Sequence, residues 1–177
     1  TKATREQIVT AADQLFYQQG FEHTSFAHIA EAVKISRGNF YYHFKSKDEI
    51  LTAVINHRLQ NTETMLETWT LEGDSPVERV KSFINIMRMN QKKIKQFGCP
   101  VGSLTTELAK LDHRAKGEAN QLFLLFRIWL SEQFTALGFN NADDLAMHLL
   151  GRSQGIATLA SAFNDDAFIE QEVRLLH

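Results

Sequence analysis

The residues from Ser36 to Lys47 gather side chains that can touch a nucleic acid. Arg37, His43, Lys45 and Lys47 are cations or potential cations. Tyr41 and Tyr42 carry phenolic hydroxyls, Ser36, Asn39 and Ser46 add neutral hydrogen-bonding groups, and the stretch contains no carboxylate. Guanidinium and amide groups pair with base edges in the major groove, while ammonium, imidazole and hydroxyl groups pair with phosphates. The first fifty residues are balanced, with Lys2, Arg5, Lys34, Arg37, Lys45 and Lys47 against Glu6, Asp13, Glu22, Glu31, Asp48 and Glu49. The positive charge is therefore local, a stripe from Lys34 to Lys47, which suits specific contact through one face better than non-specific coating.

These residues need elements to position them. Ile8, Ala11, Ala12, Leu15 and Phe16 recur at helical spacing and lead to Gly20, so a first helix is expected from about Thr4 to Gln19. Thr24 or Ser25 can cap a second helix running to Val33, and Ser36 a third from Arg37 to Phe44. Only Lys34 and Ile35 remain between them, which permits nothing longer than a tight turn and predicts a helix-turn-helix. Phe40 and Phe44, four apart, are expected in the core with Ile29, Ala30 and Ile35. Tyr41 suits packing and DNA contact alike, and Asn39 suits adenine readout and plain exposure alike. Ser46 with Glu49 fits a capping box opening a fourth helix to about Leu71. Such a helix of about 25 residues would span about 37 Å and could act as a lever.

Composition bounds the rest. The chain has 177 residues, 44% hydrophobic and 23% charged, with two prolines and one cysteine. It is globular, without a disulfide framework, and no apolar run approaches membrane-spanning length. Thr1 to Glu6 leads into an amphipathic pattern and not an apolar core, so no signal peptide and a cytoplasmic location are expected. Further helices are predicted from Val77 to about Gln91, Gly102 to Lys110, Arg114 to Leu137, Ala142 to Phe163 and from Ala167. The fold class is all-α throughout. Gly151 and Gly155 inside a helix cost about 1 kcal/mol each against alanine, so a packing reason is expected, and pairing with a second copy through 114–137 and 142–163 is economical.

The run Thr24-Ser25-Phe26, Ile29-Ala30, Ile35-Ser36-Arg37-Gly38-Asn39-Phe40-Tyr41-Tyr42-His43-Phe44, with Lys47 and Ile50-Leu51, resembles the DNA-binding domain of the TetR/AcrR family of bacterial transcriptional regulators. The resemblance covers about residues 4 to 55. It implies a helix-turn-helix domain over 1–46, joined by a continuous helix to an effector-binding and dimerisation domain over 47–177. It also implies a homodimer on an inverted-repeat operator in double-stranded DNA, most simply a repressor released by a small apolar or aromatic molecule. The contact set it implies is Thr24, Ser25, Lys34, Ser36, Arg37, Gly38, Asn39, Tyr41, Tyr42, His43 and Lys47. Phe83, Met87, Phe97, Phe123, Phe126, Arg127, Trp129 and Phe163 are the residues expected to line an effector cavity, with Arg88, His113 and Arg152 as further polar candidates. The chain departs from the family in the turn, where Lys34 replaces the common glycine. If that position is left-handed, lysine costs about 1–2 kcal/mol there.

Two other classes remain to be weighed. An architectural DNA protein would lack an effector. A helical enzyme would need a site, yet no His-Glu-x-x-His, phosphate-binding glycine loop or Gly-x-Ser-x-Gly occurs, and the seven histidines lack metal-ligand spacing. No catalytic residue, metal or cofactor is assigned. Cys99, near Lys92, Lys93 and Lys95, is either a redox-sensitive thiol or an inert one.

Overall fold

The structure, a computed structural model, describes residues 1–177 as ten helices without a strand: α1 Lys2–Gln19, α2 Phe26–Val33, α3 Arg37–His43, α4 Lys47–Glu72, α5 Pro76–Met89, α6 Gln91–Phe97, α7 Pro100–Lys110, α8 Lys116–Ala136, α9 Ala142–Ala162 and α10 Asp166–Leu176. The all-α expectation is met. The helix boundaries follow local chemistry. Gly20, at φ 86°, stops α1, where a side chain would be strained. The Ser25 hydroxyl accepts from the His28 N–H, and His28 Nδ1 accepts from the Ser25 N–H, closing a capping box with histidine in the usual Glu or Gln place. Ser36 caps α3 through the Asn39 N–H at 3.2 Å. At α4 the Ser46 hydroxyl accepts from the Glu49 N–H, but the Glu49 carboxylate takes the N–H of Lys45 and not that of Ser46, so the expected box is offset by one residue.

One helix differs from expectation. The segment read as a single helix to Gln91 breaks at Asn90, and a separate α6 follows. The Asn90 side-chain amide donates to Ile86 O at 2.9 Å, the carbonyl its own backbone N–H also uses, and such local competition ends a helix.

The chain forms two compact units, residues 1–61 with 103–120 and residues 62–102 with 121–177. It passes between them three times, each time inside a helix (α4, α7 and α8). The first unit is built on Ile8, Ala12 and Phe16 of α1, Ile29 of α2, Phe40 of α3 with Phe44 beyond it, Ile50, Leu51, Val54 and Ile55 of α4, and Leu104 and Leu108 of α7. Burying each large apolar side chain contributes about 1.5–3 kcal/mol, so α7 is integral to this core. The Arg58 guanidinium pairs with Asp13 at 2.6 Å and ties α4 to α1. The second unit packs Leu66, Phe83, Ile84, Met87, Phe126, Trp129, Leu130 and the inner faces of α9 and α10.

Candidate nucleic-acid interface

Helical periodicity splits α3 into two faces. Phe40, with Phe44 just past the helix end, points into the first core, almost completely buried. Arg37, Gly38 and Asn39 are exposed, as are Tyr42 at 76% and Tyr41 at 44%. Tyr41 is the intermediate case because its ring stacks on Phe26 of α2, centroids 5.4 Å apart and planes 19° from parallel. Phe26 also meets Phe40 edge-on at 4.8 Å. The reading helix is thus held on α2 by aromatic contacts and turns outward a surface free of carboxylates.

Gly38 has no protein atom within 4 Å of where a Cβ would stand, and its φ is not positive. Neither crowding nor backbone conformation in this chain asks for glycine there. A glycine in a helix costs about 0.5–1 kcal/mol relative to alanine, and no contact within the chain offsets that cost here.

Lys34 ends α2 in the left-handed region, φ 54° and ψ 43°, with its N–H donating to Glu31 O. The turn therefore keeps the conformation glycine would favour and accepts the strain of a lysine. Its side chain, like those of Ser25 and Ser36, is exposed.

Two expected contact residues have internal partners. Thr24 is completely buried; its hydroxyl donates to Gly20 O at 2.7 Å and accepts from the Gln19 side chain. This corrects the expectation that it faces DNA, because a threonine closing the α1–α2 turn has no group left outside. Lys47 donates to Phe21 O at 2.9 Å, with its ammonium 4.1 Å from the centre of the Phe21 ring. A phosphate would have to share that ammonium with the carbonyl.

His43 is half-buried, and its Nε2 is buried without a hydrogen-bond partner. Burial holds its pKa below the usual histidine value, and the positive charge of Arg5 pushes it the same way. The imidazole is neutral near pH 7. It borders an open recess of about 320 Å³ that Arg5, Asp48, Glu49 and Arg114 also line. Within that recess the Asp48 carboxylate accepts from His113 Nε2 at 2.9 Å and Arg114 at 3.3 Å.

In the second unit Phe83, Met87, Phe126 and Trp129 share the buried cluster with Phe123 packed against it, and Phe97 is half-buried. Phe163 does not join them. It follows the last residue of α9 and is 75% exposed, which corrects its assignment to a cavity. Arg127 is corrected too: it lies on an open groove of α8 and pairs with Asp143 at 2.6 Å, each holding the other charged. The other polar candidates are also paired, Arg88 with Glu170, Arg152 with Glu172, and His113 with Asp48. Arg79, which the sequence did not single out, is half-buried. Arg79 reaches buried Gln133 at 3.4 Å, while its Nε is buried without a partner. Cys99 is half-buried and its Sγ accepts from Gln154 Nε2 at 3.4 Å. No helix is long and apolar enough to cross a membrane.

A helix-turn-helix that turns an acid-free polar face outward defines a DNA-binding protein. The profile described as "Bacterial regulatory proteins, tetR family" matches residues 8–54. A Lactococcus lactis protein described as an uncharacterized HTH-type transcriptional regulator in the lacX 3' region is 34% identical over 98% of this chain and 91% of its own. The HTH-type transcriptional repressor DhaR of Mycobacterium sp. strain GP1 is 25% identical over 67% of this chain and 59% of its own. In fold, a TetR-family regulator from Agrobacterium tumefaciens superposes with a TM-score of 0.87 over 99% of this chain and 96% of its own at 20% identity. The chain belongs to the TetR family: it is a DNA-binding transcriptional regulator and not an enzyme.

Proposed function

We propose that the chain is a ligand-responsive repressor that binds an inverted-repeat operator as a homodimer, one α3 in each of two major grooves. The observation that carries the DNA-facing part is the division of α3, with Phe40 sequestered in the core and Arg37, Gly38, Asn39 and Tyr42 exposed. Arg37 at the helix start suits bidentate pairing with guanine, worth about 1–3 kcal/mol of discrimination. Asn39 suits adenine. Ser25, Lys34, Ser36, Tyr41 and Tyr42 supply phosphate contacts around the helix, Lys47 adds one by sharing its ammonium with Phe21 O, and His43 adds one by turning its unpartnered Nε2 outward.

The dimer reading is supported by a stripe on α9, where Met147, Gly151, Gly155 and Leu159 follow at steps of four and all are exposed. No protein atom lies within 4 Å of a Cβ at either glycine, which leaves room for a second helix to approach closely. Leu124 and Ile128 of α8 add exposed apolar surface beside the groove that Arg127 and Asp143 border.

The effector reading rests on the second core. Phe83, Met87, Phe123, Phe126 and Trp129 offer aromatic and thioether surface, and Arg79 offers a donor without a partner. An aromatic molecule carrying an acceptor fits that chemistry. The repressor sign draws on the likeness to DhaR.

Selection of binding sites from a random double-stranded library tests the proposal. Enrichment of an inverted repeat, protected on two half-sites about 34 Å apart, with two chains bound, supports it. Enrichment of no sequence supports the architectural alternative instead.

A further inference from the structure

The turn between α1 and α2 is held from outside the helix-turn-helix by a carboxylate of α7. Glu107 Oε1 accepts from the Phe21 N–H at 2.8 Å, and Oε2 accepts from the Glu22 N–H at 3.1 Å. Between the end of α1 and the start of α2 these two backbone groups have no helical partner. A charge-assisted pair of this kind is stronger than neutral bonds. The fit is close, because a Cβ at Gly20 would stand 3.1 Å from Glu107 Oε2. Phe21 is itself buried, edge-on to Phe16 at 5.3 Å and to the His113 ring at 5.2 Å. Its carbonyl takes the Lys47 ammonium. The residues that launch α2 are therefore gripped by α7, by the α7–α8 connection and by α4, while α2 in turn carries α3 through the Phe26 contacts.

α7 has a second attachment. It begins in the other unit, where the Cys99 thiol at its start accepts from Gln154 of α9. A Cβ at Gly102 would fall 2.0 Å from Gln154 Oε1, so α7 lies against that side chain there.

We propose that Glu107 is a positioning residue for DNA recognition: its carboxylate sets the α1–α2 turn, and losing it lowers affinity for specific DNA. The inference rests on the DNA-reading function proposed above. Glu107 touches no base or phosphate; it acts through Phe21 and Glu22 on the pose of α2 and α3.

The experiment uses the full chain and the site that wild-type protein selects from a random library. Amide exchange at Phe21 and Glu22 is measured alongside affinity for the selected site and for scrambled DNA. In Glu107→Ala, exchange at both amides rises, selected-site affinity drops about tenfold, as expected for loss of hydrogen bonds to a charged group, and scrambled-DNA affinity changes less than about twofold, since backbone charge is untouched. Glu107→Gln, which keeps one acceptor and the shape of the side chain, falls between and guards against a folding defect in the alanine variant. Faster exchange with unchanged selected-site affinity in both variants would overturn the proposal, leaving Glu107 a structural anchor. So would equal losses on both DNAs, or unchanged exchange. If wild-type protein selects no site, the DNA-reading function itself fails, and this proposal with it, before any variant is made.

Discussion

Tyr41 lies stacked on Phe26 of α2, while its neighbour Tyr42 is 76% exposed and meets the His43 ring edge-on at 5.1 Å, so two adjacent tyrosines of one helix stand in different surroundings. Tyr41→Ala is expected to destabilise the protein by about 0.5–1.5 kcal/mol beyond the area lost, the usual worth of an aromatic pair. Tyr42→Ala should leave the unfolding midpoint nearly unchanged and weaken DNA binding. Urea unfolding and DNA titration of both variants would expose the assignment as mistaken if their effects were interchanged.

Gly38→Ala separates what the fold wants from what a partner wants. With nothing near the added methyl, the free protein should gain up to about 1 kcal/mol from better helix propensity. Affinity for the selected site should fall at the same time. A variant both stabler and equally tight on DNA would mean that no partner approaches the helix there.

Lys34 makes a similar pair of predictions. Replacing it with glycine relieves a left-handed lysine and should stabilise the chain by about 1 kcal/mol. If its ammonium meets a phosphate, the slope of log affinity against log salt should become shallower by about one. An unchanged slope and affinity would remove Lys34 from the interface.

His43 supplies the pH dependence. Its folded pKa is below the usual value, so the unfolded chain takes up this proton first as pH falls. Stability from neutral His43 is present above about pH 6.5, the unfolded value, and is lost as pH drops below it toward the lowered folded value. Comparing unfolding midpoints of wild type and His43→Gln from pH 7.5 to 5 should show a shallower decline in the variant. Parallel profiles would contradict the shift.

The α9 stripe predicts assembly. Gly155→Leu, placing a bulky side chain where no neighbour of its own chain lies, should leave helicity intact and convert a dimer to a monomer in sedimentation equilibrium. A dimer of undiminished strength would place the interface elsewhere.

Much of this site can be read from sequence because its causes are local. Ser25, Ser36 and Gly20 mark helix ends within four residues of the groups they serve, and Phe40 with Phe44 marks the buried side of α3. What escapes the sequence depends on distant partners. Glu107 lies 86 residues from Phe21, and its one local signal is a carboxylate on the same face as Leu104 and Leu108. The Thr24 hydroxyl looks available until the turn closes on it. Histidine completing the box at Ser25 is chemically sound but unlike the common motif. Phe163 looks like core by type, yet it lies just beyond the last turn of α9, where no other element covers it. Arg79 stands out only once Arg88, Arg127 and Arg152 are seen to have carboxylates of their own.

If the exposed face of α3 reads base sequence, Arg37 at its start is the side chain whose loss should show it. Affinities of wild type and Arg37→Ala are measured for the selected operator and for scrambled DNA at two salt concentrations. A loss of about tenfold or more is expected on the operator, from one bidentate base contact, with relaxed preference at a single base pair per half-site and little change on scrambled DNA. Equal losses on both DNAs, erased by salt, would show that Arg37 meets only the phosphate backbone and that α3 does not read sequence as described.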